Sequence, residues 1–290
     1  MVKLFNYIPV FLGAVDLCLN FVRKWQSRII HFAKNKLNEI AMPRLMLTDE
    51  LWSKLKAILL EDRMYNKQEH RKTIEGILYR LRVGCPWRDL PDYFGLWNTV
   101  YRRFLLWSRK GILLRLFKSL SANSDVEWEF IDGSYVKAHQ HSTGAASKQE
   151  QAIALSRGGN TSKIHLAVDS YGLPLEFIIT GGDVHDSKVA NELIELLPQS
   201  DFVIADKGYD SEAIRNKIRE RNSIPIIPRK LNSKVGNGDI DWCLYKYRHL
   251  VENAFARLKH FRAIATRYDK LKIQFESALA LACAMIWLPM

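Results

Sequence analysis

Residues 128–138 read WEFIDGSYVKA, and the fold turns on how that stretch is read. The apolar side chains ahead of Asp132 alternate as on a strand and then meet Gly133. Upstream of about residue 123, apolar residues recur at helical spacing instead. A change from helical to strand period in mid-chain marks a helical segment followed by a sheet.

Downstream, SKIHLAVD, LPLEFIIT, DFVIAD and SIPIIP are further short apolar or alternating runs and read as strands. Gly172-Leu-Pro reads as a hairpin turn between the second and third strands. HDSKVANELIELL and SEAIRNKIRERN read as helices between later strands, and SALALACAMIWL as a terminal helix buried in the core. The order β-β-β-α-β-α-β-α predicts an α/β fold with a mixed sheet flanked by helices. HQHSTGAASKQEQAIALSRGGN, residues 139–160, reads as a long, mobile, partly basic loop between the first two strands.

Upstream, the spacing predicts three helices. In the first, Thr48 is the N-cap, Asp49 and Glu50 occupy the first turn, and Leu51, Leu55, Ile58 and Leu59 form the apolar stripe. The second, HRKTIEGILYRLRVG, buries Ile74, Ile77, Leu78 and Leu81 and stops at Gly84, ahead of Pro86. After the turn-rich CPWRDLPDYFG, Asn98 caps a third helix. It points Val100, Phe104 and Trp107 inward and Arg102, Arg103 and Arg109 outward. Three short helices with a basic outer face on the last have the form of a helix-turn-helix module; a solvated basic face is the alternative.

The chain of 290 residues carries a net charge of +12, with a pI near 9.5. That balance favours polyanionic partners, nucleic acid ahead of acidic membrane surfaces. Cys18, Cys85, Cys243 and Cys283 are scattered without a C-x-x-C. This argues against a zinc ribbon or a redox pair and for free thiols in a reducing cytoplasm. In residues 1–41, the apolar stretch at 4–22 is interrupted by Asn6, Asp16 and Asn20 and followed by Arg23, Lys24 and Arg28. It is either a natural extension or upstream sequence read through, with translation starting at Met42 or Met46. The expected organisation is an extension at 1–41, a helical DNA-binding domain at 42–122 and a catalytic domain at 123–290.

Two aspartates stand at predicted strand ends, each beside a glycine turn: Asp132 in EFIDGS and Asp206 in VIADKGY. Ligands gather at strand ends of α/β sheets, although turn and cap roles suit aspartate equally. A third carboxylate lies in YKYRHLVENAFARLK, residues 245–259. At roughly 100° per residue, Tyr245, Arg248, Glu252 and Lys259 share a stripe roughly 60° wide. The stripe borders the apolar edge formed by Leu244, Val251, Phe255 and Leu258. A carboxylate beside a core needs compensation. Arg248 one turn away supplies it by pairing, or a divalent cation shared with other carboxylates does; the spacing leaves both open.

Tyr245, Arg248, Glu252 and Lys259, separated by two, three and six residues, resemble the Y-R-E-K signature of bacterial insertion-sequence transposases. GCPWRDLP, WNTVYRRF, FIDGSYVKAH, RGGNTSKIHLAVD, ADKGYDS and ALACAMIWL are similar to the insertion-sequence-five group of DDE transposases, in the insertion-sequence-four-like superfamily. The resemblance runs from about Leu47 to the C-terminus. It implies a ribonuclease H-like core in which Asp132, Asp206 and Glu252 are the catalytic triad. These would hold two Mg²⁺ ions, or Mn²⁺ in their place. Converging carboxylates repel one another unless hard cations lie between them. Two such ions can clamp both oxygens of a phosphoryl displacement.

Tyr245 is then a supporting residue, and Arg248 and Lys259 are candidates to contact DNA. So are Lys207 beside Asp206, Arg229 and Lys230 after the last strand, and Arg102, Arg103 and Arg109 on the third helix. His165 reads as a core residue, and His185 with Asp186 as a helix cap. The implied function is a transposase that binds terminal inverted repeats and cuts and joins DNA. A nuclease with the same core and a catalytically silent DNA-binding protein are the alternatives. The implied partners are double-stranded DNA, both repeat and target, and a second copy of the chain, with no membrane partner. The implied location is the bacterial cytoplasm at the nucleoid.

Overall fold

Among the described residues, four helices precede the sheet. The computed structural model describes residues 43–61, 68–144, 151–231 and 233–290. The N-terminal extension and residues 145–150 of the long loop lie outside them, and with them the reading of that extension. In helix α1 (Asp49–Glu61), the Thr48 hydroxyl accepts the Leu51 amide at 3.2 Å, closing the first turn as an N-cap does. Helix α2 (Glu69–Val83) ends at Gly84, whose left-handed φ of 75° lets its amide reach Arg80 O. Helix α3 (Trp97–Arg109) starts one residue before Asn98. Asn98 therefore lies inside the first turn, and the expected cap is displaced to Leu96. Its carbonyl takes the Thr99 and Val100 amides.

A fourth helix, α4 (Ile112–Ser121), was not among the three expected. Gly111, at φ 65°, turns the chain into it within two residues of α3, and Leu113, Leu116 and Phe117 bury its inner face.

Strand β1 (Trp128–Ala138) is the centre of the sheet. A three-residue strand, β2 (Ala154–Ser156), emerges from the long loop and turns into β3 (Gly159–Val168). The hairpin at Gly172, φ 76°, leads to β4 (Pro174–Gly181) as expected. Then follow α5 (Asp186–Leu196), β5 (Phe202–Ala205), α6 (Glu212–Glu220) and β6 (Ile224–Ile226). β1 pairs antiparallel with β3 and parallel with β5; β3 pairs antiparallel with β4, and β5 parallel with β6. Three antiparallel strands continued by two parallel ones form the mixed, ribonuclease H-like sheet expected.

The chain closes with α7 (Trp242–Tyr245), α8 (His249–Lys259), α9 (Arg262–Ala265), β7 (Thr266–Arg267) and α10 (Lys272–Trp287). A 3₁₀ turn over Lys246–Arg248 joins α7 to α8, so the expected single helix is one path with a tightened segment at Arg248.

Alternation splits the sheet into two chemical faces. Ile131, Ala167, Val203 and Ala205 pack under α5 and α6. Phe130, Val136, Ile164, Leu166 and Ile204 share the opposite core with α1–α4, α8 and α10. Helix α10 is buried along most of its length, as expected of the apolar terminal segment, and Trp287 donates its indole N–H to Pro174 O at 2.7 Å. The boundary near residue 122 is thus a change in secondary structure across which the core continues.

Two arginines tie the layers together. Arg80 of α2 forms a buried, two-pronged pair with Asp269, at 3.1 and 3.3 Å. Arg267 is fully buried and donates to the carbonyls of Gln151, Ala152, Asp269 and Lys270 and to the Ser162 hydroxyl. Burial pulls its pKa down to about 10. Among the described residues, Cys85, Cys243 and Cys283 are free thiols, and no helix is long and apolar enough to cross a membrane.

Glu129 is buried in β1 on the α5–α6 face. Burial pushes its carboxyl up to about 7, against the opposing influence of Ser200 and Arg221. The folded state therefore holds this proton more tightly than the unfolded chain does. The stability it contributes is full below the ordinary glutamate pKa and is lost as pH rises toward 7. Denaturant unfolding at pH 5 and pH 8 should show the wild type losing about 3 kcal/mol more than Glu129→Gln across that interval. Equal losses in the two proteins would remove Glu129 as the source.

Candidate active site

The site begins with strand register. β1 and β5 run parallel with Ile131 opposite Ala205. The next residue after each is a carboxylate, Asp132 within β1 and Asp206 just past the end of β5, so the two stand side by side, about 5 Å apart at the backbone. By alternation Asp132 turns to the α8 face, since Ile131 faces the other core. The Gly133 amide donates to its own neighbour Asp132 Oδ1 at 2.7 Å. The Gly208 amide donates to Asp206 Oδ1 at 2.7 Å, within a 3₁₀ turn over Lys207–Tyr209. Only Asp206 stands at a strand end as expected; β1 runs on through Asp132 and Gly133 to Ala138, because its pairing with β3 continues to Lys137. Each aspartate has one oxygen tied to a glycine amide.

Glu252 arrives from α8, whose Val251, Ala254, Phe255 and Leu258 are buried while Glu252 is exposed. Arg248 links it to β1. Its Nη1 donates to Asp132 Oδ2 at 3.1 Å, and its Nη2 pairs with Glu252 Oε1. Of the two forms of compensation open at the sequence level, this arrangement shows the first, extended to a second carboxylate. Burial pushes the Asp132 carboxyl above the usual range; the Gly133 amide and Arg248 oppose that, and Asp206 and Asp186 add to it. Arg248 itself is driven up by Asp132 and Glu252 despite its burial. Half-buried Tyr245 has its hydroxyl pKa raised, first by burial. Lys259 donates to Ser134 Oγ at 2.7 Å, two residues beyond Asp132 on the same face of β1.

The remaining basic candidates separate into two groups. Arg102, Arg109, Lys207 and Lys230 are exposed, and Arg103 is half-buried. Arg229 is engaged elsewhere. It makes a two-pronged pair with Asp239 and donates to Gly236 O, closing the loop between β6 and α7 on itself. That engagement argues against its expected role as a free DNA contact.

A second polar cluster lies under the same strand, and sequence reasoning did not assemble it. Asp186, the first residue of α5, receives Lys163 Nζ at 2.5 Å and lies 3.0 Å from His165 Nδ1. The Tyr209 hydroxyl donates to it at 3.4 Å, and His165 Nε2 meets Thr180 Oγ1 at 3.0 Å. Gly133 permits this approach, because a Cβ there would run into Asp186 Oδ1. Burial pushes Asp186 up, but His165 and Lys163 outweigh it and hold the carboxyl below its usual range. Burial, then Asp186, Asp132 and Asp206, drive Tyr209 well above its usual range.

His165 is thus a core residue as read, and His185 caps α5 by accepting the Ser187 amide. Asp186 is the hub of the cluster. The available signal was Lys163 and His165 two apart on an otherwise apolar strand, a spacing that puts two polar groups on one buried face and demands a partner.

Three carboxylates offer hard oxygen donors that suit a divalent cation. Their chemistry fits; their spacing in this state does not. Arg248 stands between Asp132 and Glu252, and among the described residues no group of three or more His, Cys, Asp or Glu side chains is arranged to hold an ion.

Residues 130–287 match a family profile described as "Transposase DDE domain". The chain belongs to the DDE transposase family. Residues 47–117 match a second profile, "Putative transposase of IS4/5 family". A Brucella ovis protein, "Putative transposase for insertion sequence element IS6501", is 38% identical over 132 residues, covering 44% of this chain and 98% of its own length. A Burkholderia cepacia protein, "Putative transposase for insertion sequence element IS402", is 34% identical over 136 residues, 43% of this chain and 62% of that protein. Among solved structures, a piggyBac transposase synaptic complex with hairpin DNA aligns over 68% of this chain and 51% of its own, at 12% identity and a TM-score of 0.37.

The buried Lys163–Asp186 pair of this transposase gives a stability prediction. Removing one partner strands the other charge, at a typical cost of about 3 kcal/mol or more. Asp186→Asn should lower unfolding free energy by about that amount, and Lys163→Met in the same chain should restore most of it. A double variant no more stable than Asp186→Asn would show that the pair is not the source of the loss.

Proposed function

We propose that this transposase binds the terminal inverted repeats of an insertion sequence through α1–α4 and cuts and joins DNA strands where β1, β5 and α8 meet. The observation carrying this reading is the placement of Asp132 and Asp206 at matched positions on neighbouring parallel strands, with Glu252 joined to Asp132 through Arg248. With Arg248 displaced from between Asp132 and Glu252, these two and Asp206 would hold Mg²⁺ or Mn²⁺, which when bound supplies the positive charge that phosphoryl transfer draws on. The rest is work for the chain itself. Arg248 neutralises Asp132 and Glu252 in the state described, and Tyr245 flanks them. Lys259 and Lys207 border the carboxylates and can hold the DNA backbone on either side, with Lys230 further out. Arg102, Arg103 and Arg109 carry the phosphate contacts of the helical region at 42–122, and residues 123–290 carry catalysis.

Holding two element ends calls for a dimer, working in the bacterial cytoplasm at the nucleoid. A nuclease that cuts without joining shares every one of these features. An assay with pre-cleaved ends and a plasmid target separates the two, because joined product belongs to a transposase alone.

Asp132→Ala, Asp206→Ala and Glu252→Ala should each reduce strand cleavage to background while leaving binding to the element ends largely intact. Cleavage retained by any one of them excludes that carboxylate from the reaction. The double variant Arg102→Ala/Arg103→Ala should weaken DNA binding and lower the slope of log K against log salt by about 2. An unchanged slope moves the DNA-reading surface away from α3.

A further inference from the structure

The sheet carries a second concave surface that the carboxylate site does not use. Tyr135, Lys137, Ser156, Arg157, Gly158 and Thr161 line a groove of about 620 Å³, closed at one side by Gly182. Tyr135 and Lys137 share the Gly133 face of β1, turned away from Asp132 by alternation. Thr161 stands opposite Lys137 in the β1–β3 pair. Ser156 and Arg157 come from the turn between β2 and β3. There the Thr161 hydroxyl donates to Ser156 Oγ at 2.9 Å and the Gly158 amide donates to it at 3.2 Å. Gly182 admits no side chain, because a Cβ would run into Thr161 Oγ1. The floor is therefore hydroxyls and glycine backbone, and the walls are the Tyr135 ring and the stems of Lys137 and Arg157, whose charges stand at the rim.

Those cations differ from three others near the sheet. Lys163, Arg248 and Arg229 are all committed to carboxylates. Lys137 and Arg157 are exposed, and among the described residues neither forms an ion pair. One carboxylate, exposed Asp183, lies near the rim against Gly181, so the groove keeps a positive balance. The Ser156 and Thr161 hydroxyls are spent within the turn, on Gly159 O and Ser156 Oγ, which leaves Lys137, Arg157 and the Tyr135 hydroxyl to meet phosphate oxygens. The groove is much larger than one phosphate, and its charges stand on an open rim rather than in an enclosed pocket. Both features favour a polymer backbone over a free anion.

We propose that this groove binds the phosphodiester backbone of duplex DNA, as a second contact surface on the face of the sheet opposite Asp132. The proposal rests on the reading of the protein as a DNA-binding transposase, and adds residues which that reading does not contain.

The test is anisotropy titration of a labelled 30-base-pair duplex of arbitrary sequence with the full chain at several salt concentrations. The proteins are wild type, Lys137→Ala/Arg157→Ala, Lys137→Arg/Arg157→Lys, and Arg219→Ala as a control that removes an exposed cation elsewhere. Thermal melts confirm that each is folded. The alanine pair should bind about ten-fold more weakly near 0.1 M salt, with the log–log slope reduced by about 2. The charge-conserving pair should keep the wild-type slope, and Arg219→Ala should leave affinity nearly unchanged.

An alanine pair with the wild-type slope overturns the groove and leaves the transposase reading standing. A loss equal to that of Arg219→Ala shows only a general charge effect and also overturns it. Stabilisation of the wild type but not the alanine pair by millimolar inorganic phosphate, with DNA binding unchanged, assigns the groove to a free anion instead. Absence of salt-dependent DNA binding by the wild type overturns both this proposal and the DNA-binding reading beneath it.

Discussion

The structure depends on what β1 does at Asp132 and Gly133. A strand covered on both faces up to Ile131 must send its successive side chains into different surroundings. Asp132 goes to the α8 face, where Arg248 meets it. Gly133 opens the other face, and Asp186 fills the space that a side chain would have taken. The parallel pairing with β5 brings Asp206 level with Asp132. A slip of one residue in that pairing would separate the two aspartates. A slip of one residue in the pairing with β3, whose Lys163 and His165 hold Asp186, would press a side chain against Asp186, so β1 is held in register on both sides.

That arrangement sets two carboxylates on opposite sides of one strand to opposite electrostatic fates. Asp132 is pushed up by burial that its partners do not fully offset. Asp186, with Lys163 and His165 against it, is held down despite burial. The difference lies in the number and closeness of cationic partners: one shared guanidinium for Asp132, a dedicated ammonium and an imidazole for Asp186. A carboxylate already satisfied, like Asp186, has no call on a further cation. Asp132 and Glu252 divide one guanidinium between them, which leaves them the carboxylates still short of positive charge.

Most of the sheet was legible because apolar period and turn chemistry agree there. Gly172 sits where the hairpin turns, and Gly84 ends α2. Leu244, Val251, Phe255 and Leu258 are buried on the edge that helical spacing assigned to them. The misses have physical causes. α4 escaped notice because only two residues separate it from α3, and it begins at the left-handed φ of Gly111 with no capping side chain to mark it. Asn98 has a capping side chain, but the chain was already helical one residue earlier. Arg229 has the residue type of a DNA contact, and only the fold shows that Asp239, ten residues on, takes its guanidinium. The cluster around Asp186 joins residues from three separate segments, and no local period reports such a meeting.

The helical region and the sheet are also joined more firmly than two independently folding pieces need to be. Helix α10 lies against α2, α3, α4 and β4, and such a helix, apolar around its circumference, is stable only when enclosed. Arg80 reaches across from α2 to Asp269, and Arg267 gathers the carbonyls of the segment that leads into β2. These contacts remove the freedom a hinge between the helical region and the sheet would need. On the function proposed above, cleavage at one defined phosphodiester would require the distance from the bound repeat to Asp132, Asp206 and Glu252 to be constant, because a small misplacement costs orders of magnitude in rate. A continuous core through α10 is a direct way to hold that distance. It also explains why so much apolar surface is placed where helices and sheet meet rather than divided between two separate cores.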